Sequence, residues 1–329
     1  MLLVKDIGEQ GLLQILHQFC PSEIIGDDAA VISTSPEQKL VVTTDVLVEN
    51  VHFSDRTTPP DAVGWRAAAA NLSDLAAMGA DPLGITVGLS LRGDLTVNWV
   101  EQLYQGMKQC LDQYHTPILG GDLCRSSLVT IAITALGQVN SAQVISRSGA
   151  KPGDAIVTTG LHGLSKAGLE LLLDPKLGEN LNQKSRKKLI LAHQRPQPRL
   201  DVIKTIQEIN PQRRIAGMDS SDGLADAIIQ ICRCSGVGAE VKQNSIVLSS
   251  DILKLVSPEK ALEWTLFGGE DFELVLCLPV NFAQMLINKL KSKAAIIGKI
   301  TEEKNVILVG EKTVSSKVLL SQKQSFQHF

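Results

Sequence analysis

The chain has 329 residues, 44% of them hydrophobic and 20% charged, enough to build more than one packed core. Lys+Arg 32 against Asp+Glu 35 leaves a formal net charge of -3, which excludes the broad basic field of a nucleic-acid-binding domain, so any anionic ligand is held locally. No apolar run approaches a membrane span, and Met1-Leu2-Leu3-Val4-Lys5-Asp6 meets charge early, so a cytoplasmic protein is expected.

Leu12, Leu13, Ile15, Leu16 and Phe19 recur at helical spacing and predict a first helix ending at Cys20-Pro21. Gly26-Asp27-Asp28 follows as a loop. Leu40, Val41 and Val42 run together before Thr43-Thr44-Asp45, which predicts a buried strand from Lys39 to Thr44. Asp61 to Met78 reads as a helix whose small residues between Gly64 and Ala70 permit close packing, and Gly79 with Asp81-Pro82 closes it. A strand at Ile85 to Leu91, a helix at Val97 to Tyr114 and a strand at Val129 to Leu136 complete an alternating α/β unit, so the first domain is expected to span residues 1–145.

Ser148 to Asp154 is rich in turn residues and suits an inter-domain crossing. A strand at Ala155 to Thr159 then opens a second domain, residues 146–329. Helical patterns are predicted at Leu164–Leu173, Arg199–Gln207, Leu224–Ile231 and Phe282–Leu290, with strands at Glu273–Leu278 and Ala294–Ile300. The polar stretch from Asp174 to Lys188 reads as a surface loop running into a helix. None of the six cysteines forms a C-x-x-C pair, and they read as buried free thiols.

The informative residues are acids placed at turns and element ends beside Gly, Ser or Thr: Asp27-Asp28, Asp45, Asp74, Gly120-Gly121-Asp122, Asp219-Ser220-Ser221-Asp222-Gly223 and Gly268-Gly269-Glu270-Asp271. Each alone has an ordinary reading as a helix N-cap or a turn. As a set they fit a magnesium site, because Mg²⁺ takes oxygen ligands, one or two carboxylates at a time, and completes its shell with phosphate oxygens and water. Clustered carboxylates also repel unless cations join them. The Walker pattern, the dinucleotide fingerprint, the protein-kinase motif set, G-x-S-x-G and H-E-x-x-H are all missing, so a bound nucleotide needs another architecture. A metal-stabilised scaffold without catalysis is the alternative of a different class.

The runs Ile25-Gly26-Asp27-Asp28-Ala29-Ala30-Val31, Thr43-Thr44-Asp45, Asn71-Leu72-Ser73-Asp74, Gly120-Gly121-Asp122, Arg147 to Asp154, Met218-Asp219-Ser220-Ser221-Asp222-Gly223-Leu224 and Phe267 to Leu274 occur in one order along nearly the whole chain. In this they resemble the aminoimidazole-ribonucleotide-synthetase-like ATP-binding superfamily and, within it, the thiamine-monophosphate kinase family. The resemblance implies a layered α+β fold of two domains, with an N-terminal sheet forming a homodimer interface and a C-terminal α/β domain completing the active site. It implies that Asp28, Thr43, Thr44, Asp45, Asp74, Asp122, Asp219 and Asp222 share several Mg²⁺ ions with phosphates. Tyr104, Gly121, Asp122, Arg147 and Ser221 are implied ATP contacts, Arg147 acting electrostatically, and a monovalent cation is a further candidate cofactor.

His52, Glu270 and Phe326 are similar to contacts with thiamine monophosphate in relatives, although Phe326 stands where Trp is usual and Ser220 replaces a usual Ile. Read without the family, His52 is equally a half-buried hydrogen-bonded histidine, Arg147 a surface ion-pair partner and Tyr104 a core residue of its helix. The implied reaction moves the γ-phosphate of ATP directly onto thiamine monophosphate, giving thiamine diphosphate and ADP with no protein acid or base.

Overall fold

Strands Gln38–Val48 (β1), Asp81–Leu91 (β2), Ile118–Arg125 (β3) and Thr130–Asn140 (β4) form a four-stranded sheet in the order β1-β4-β2-β3. The β1/β4 and β4/β2 pairs are antiparallel and β2/β3 is parallel, which leaves β1 and β3 as opposite edges. The computed structural model describes residues 2–21, 34–209, 215–290, 294–310 and 317–321. This sheet belongs to a unit made of residues 1–75 and 80–141; a second unit comprises 76–79 and 142–329.

Helices Val4–Leu16 (α1), Pro60–Ala77 (α2) and Val97–Asp112 (α3) accompany the sheet, α1 being interrupted at Gly8, where φ is 64°. The α2/α3 crossing is close because of two glycines. A Cβ added at Gly64 would lie 1.8 Å from the Leu103 carbonyl oxygen, and one at Gly106 would lie 1.7 Å from that of Asp61. One face of the sheet is buried, through Ile85, Val87 and Leu89 of β2 and Ile131, Ile133 and Ala135 of β4.

The other face is open. Leu40 is 53% exposed, Val42 55% and Val46 45%. The buried strand expected at Lys39 to Thr44 is therefore a two-sided edge strand: the apolar run is real, but alternation turns Leu40 and Val42 away from the core. Gly120-Gly121-Asp122, expected as a turn, lies inside β3 instead. A Cβ at Gly121 would come within 2.1 Å of the Val87 carbonyl oxygen, so glycine is what lets β3 dock on β2.

In the second unit, strands Ala155–Thr158 (β5), Ala216–Asp219 (β6), Gly238–Lys242 (β7), Leu274–Leu278 (β8), Ala295–Thr301 (β9), Val306–Val309 (β10) and Lys317–Leu319 (β11) form a sheet ordered β11-β10-β7-β9-β5-β8-β6. Only β10/β7 is parallel. β5, β6 and β8 are buried along their whole length, as expected of strands covered on both faces. Helices Leu164–Leu173 (α4), Gln183–Gln194 (α5), Leu200–Ile209 (α6), Leu224–Ser235 (α7), Pro258–Phe267 (α8) and Val280–Leu290 (α9) supply the cover.

One core packs Ile228 and Ile231 of α7 with Val275 and Cys277 of β8. Another joins Ala167 and Leu171 of α4 to Leu189 of α5 and Trp264 of α8. Cys110, Cys232 and Cys277 are buried free thiols as expected, whereas Cys124 and Cys234 are exposed.

Candidate active site

In the second unit two polar loops are laced together where β6 and β8 run antiparallel, with Asp219 opposite Leu274. Asp219, at the end of β6, is 3% exposed and accepts from the Ser221 hydroxyl at 3.1 Å. Ser220 donates its backbone N–H to the Glu273 carbonyl at 2.8 Å, and Glu270 donates its own to the Ser221 carbonyl at 2.7 Å. Gly223, at φ 110°, turns the chain into α7 directly after Asp222. Asp219, Ser221, Asp222 and Glu270 are thus brought to one loop pair, as their element-end positions suggested. Arg147 lies in the same unit; it donates to Gln230 Oε1 at 2.7 Å, and Gln230 in turn donates to Asp226.

The Gly268-Gly269-Glu270-Asp271 loop carries more than the sequence showed. Glu270 has φ 63° and Phe272 φ 52°, a left-handed conformation unusual without glycine. Asp271 accepts from the backbone N–H groups of Gly163 at 2.6 Å and Ser165 at 2.8 Å, at the start of α4. Burial pushes its carboxyl up to about 7, against those two donors. Glu273 accepts from Thr159 Oγ1 at 2.6 Å and pairs with Arg199, and burial raises its carboxyl too. Burial works against the Arg199 charge, but Asp201 and Glu273 hold it protonated. Asp271, Glu273 and Arg199 anchor the loop: Asp271 was one of the acids the sequence marked, but as a site residue and not as an anchor, and Arg199 was legible only as the start of a helix.

In the first unit the Thr43 hydroxyl donates to Asp74 Oδ2, tying β1 to α2. Asp45 follows two residues later on the same, helix-covered face. Thr44 points to the open face and meets Thr134 Oγ1 at 2.9 Å. Asp122 pairs in register with Gly88, which is opposite Ala132, itself opposite Val46, so Asp122 shares the open face, where Cys124 meets Ser90 at 3.0 Å.

His52 accepts from the Val48 N–H at Nδ1, 3.1 Å, which in the neutral ring leaves the proton on Nε2. Tyr104 is buried on α3 with its ring 5.5 Å from that of Phe19, and burial raises its phenol. Gly121 sits against Val87 as described.

Asp28 and Phe326 lie outside the described residues. Among the described residues no three His, Cys, Asp or Glu side chains converge as a ready-made metal cage. The donors present are all oxygens, in pairs such as Thr43 with Asp74 and Ser221 with Asp219. That set suits Mg²⁺, which dehydrates reluctantly and is bound through one or two carboxylates plus substrate phosphates.

Residues 26–139 match the family model for the AIR synthase related protein N-terminal domain, and residues 151–311 match that for its C-terminal domain. The thiamine-monophosphate kinase of Synechococcus elongatus is 50% identical over 99% of this chain and 98% of its own length. The thiamine-monophosphate kinase from Stenotrophomonas maltophilia superposes with TM-score 0.78 at 32% identity, covering 88% of this chain and 90% of that one. The structure of AaThiL complexed with AMPPCP and TMP superposes with TM-score 0.73 at 33% identity, covering 97% and 99%.

Proposed function

The chain belongs to the thiamine-monophosphate kinase family, and from that premise we propose how its own residues carry the reaction. It is an ATP-dependent kinase that phosphorylates thiamine monophosphate to thiamine diphosphate and releases ADP, a step of thiamine diphosphate biosynthesis. The observation that carries this reading is the full-length likeness, and the laced loop pair that brings Asp219, Asp222 and Glu270 together supports it.

The acceptor phosphate has a second pKa of about 6, so near neutrality it is already an anion and needs no base. The difficulty is its approach to a triphosphate, where each pair of charges at ~4 Å costs roughly 4 kcal/mol at an effective dielectric constant of 20. Arg147 offsets part of that charge, and Ser221 and Gly121 hold the nucleotide with backbone and hydroxyl groups. Tyr104 lines the nucleotide end, while His52, Glu270 and Phe326 hold the thiamine end. Asp28, Thr43, Thr44, Asp45, Asp74, Asp122, Asp219 and Asp222 are the residues that would hold magnesium, which supplies neutralisation of the phosphate charge when bound.

The working form is a homodimer, and the sheet order supports it. β1, with Thr43, Thr44 and Asp45, and β3, with Asp122, are opposite edges of one sheet, with β4 and β2 between them. Three strand spacings separate them, roughly 14 Å, too far for the groups on β1 and β3 of one copy to meet at one phosphate. A second copy that sets its β1 against this β3 brings its Thr44, on the open face, beside this Asp122 and puts its Asp45 on the adjoining strand, so that one site draws on both copies. Among the described residues no helix is long and apolar enough to cross a membrane, and the use of ATP fits a cytoplasmic enzyme.

The test is ATP consumption with thiamine, thiamine monophosphate and aminoimidazole precursors in parallel, with product identification. Turnover with thiamine monophosphate and formation of thiamine diphosphate are expected; turnover only with another acceptor would overturn the reading.

A further inference from the structure

Close packing of two helices brings a buried imidazole to the substrate loop of the second unit. A Cβ at Gly168 of α4 would lie 2.1 Å from the Leu189 carbonyl oxygen of α5, so glycine permits α5 to approach at that point. One turn further along α5, His193 is 2% exposed. Its Nδ1 lies 3.1 Å from Ser165 Oγ and 3.8 Å from Glu270 Oε2. Ser165 also gives its backbone N–H to Asp271. The first turn of α4 therefore grips Asp271 directly and meets Glu270 through His193.

We propose that His193 is a positioning residue for Glu270 in recognition of the thiamine moiety, a role that rests on the reading of Glu270 as a substrate contact. An ionised Glu270 facing a bare Nδ1 lone pair would be repelled, so this role calls for the tautomer with its proton on Nδ1, between Ser165 Oγ and the carboxylate. Glu270 projects from a backbone at φ 63°, and its side chain is one-third exposed, long and rotamer-rich. Without a neighbour it would have to be ordered by the substrate, at an entropic cost charged to affinity. A rigid N–H beside it confines the carboxylate beforehand, ready to accept from an amino group or to face a cationic ring. Glu270 meets Ser221 through its backbone N–H and His193 through its carboxylate, so loss of the imidazole acts on the side chain, and the effect falls on the affinity for thiamine monophosphate rather than on ATP.

The test uses the full chain and compares Glu270→Gln, His193→Ala, His193→Asn, His193→Gln and the His193→Ala/Glu270→Gln double variant, reading kcat and the KM of each substrate. Asn places an amide donor where Nδ1 stood; Gln places it where Nε2 stood and keeps the buried volume, so the pair separates donor position from folding. The expected result is a roughly tenfold rise in KM for thiamine monophosphate in His193→Ala and His193→Gln, as Glu270 loses the N–H dipole that confines it. KM for ATP should stay within about twofold, Asn should restore most of the loss, and the double variant should be no worse than Glu270→Gln.

A Glu270→Gln that raises this KM while His193→Ala and His193→Gln leave it unchanged overturns the positioning role alone. Equal effects on both substrates, or additive effects in the double variant, overturn it as well. A Glu270→Gln with unaltered KM overturns the substrate reading beneath it.

Discussion

The backbone N–H of Glu270 donates to the Ser221 carbonyl across 2.7 Å, joining the loop that carries Asp219 and Asp222 to the loop proposed to hold the thiamine end. The bond involves no side chain of either residue. Glu270 nevertheless occupies a left-handed backbone, φ 63°, that glycine would adopt without strain.

Glu270→Gly should keep the Ser221 bond and relieve about 1 kcal/mol of backbone strain. Thermal unfolding is expected to show an unchanged or slightly raised Tm, while KM for thiamine monophosphate climbs. A Tm lower by several degrees would mark the side chain as structural.

The separation of β1 and β3 makes a complementation prediction. Asp45→Asn and Asp122→Asn should each abolish most turnover as purified proteins. Mixed, dissociated and reassociated, they form hybrid dimers in which one site joins the intact Asp45 of one copy to the intact Asp122 of the other. Activity should recover to about a quarter of wild type, because about half the dimers are hybrids with one good site of two. A mixture as inactive as its components would mean that each copy builds its site alone.

The α2/α3 crossing predicts that Gly106→Ala loses roughly 2–4 kcal/mol in urea unfolding, since the added Cβ would lie 1.7 Å from the Asp61 carbonyl oxygen, a backbone atom. Gly93→Ala is the control: its Cβ meets nothing nearer than the Lys5 Cβ at 3.5 Å, and stability should change little.

His162 predicts an acid-side loss of stability. It is buried, its Nε2 has no hydrogen-bond partner among the described residues, and burial lowers its pKa to about 4 from an ordinary 6.5. The unfolded chain therefore binds the proton first as pH falls, and stability present above pH 6.5 drains away down to about pH 4, by about 3 kcal/mol in all. His162→Asn keeps a donor for the Gly160 carbonyl and does not titrate, so its unfolding free energy should vary less across this window. An identical slope in both proteins would place the titration elsewhere.

Local order was legible wherever periodicity and turn chemistry agreed. Leu164–Leu173 is a helix with the bounds its apolar spacing predicts, and Asp219 sits at a strand end before a Gly223 turn. Helix α5 was only half visible, because Gln183–Gln194 is polar and its buried positions, Ser185, Leu189 and His193, give a weak stripe; His193 accordingly drew no notice. Gly120-Gly121-Asp122 was misread because glycine marks both turns and close strand contacts, and only the Val87 carbonyl decides between them.

Sheet order was beyond reach. Thr43 pairs with Ala135, and nothing local in either segment names the other. The laced loops needed the same long-range pairing, of Asp219 with Leu274, before Ser221 and Glu270 could meet.

Two strand borders without a neighbouring strand among the described residues have a cost for the newly made chain. Among the described residues β1 and β3 each pair with a strand on one side only, so a solitary copy offers their outer amides to any extended peptide, with Leu40, Val42 and Val46 exposed beside them. In the proposed dimer, partnering would guard against clumping as well as serve chemistry, and strong dilution should leave a sticky polypeptide rather than a merely idle one.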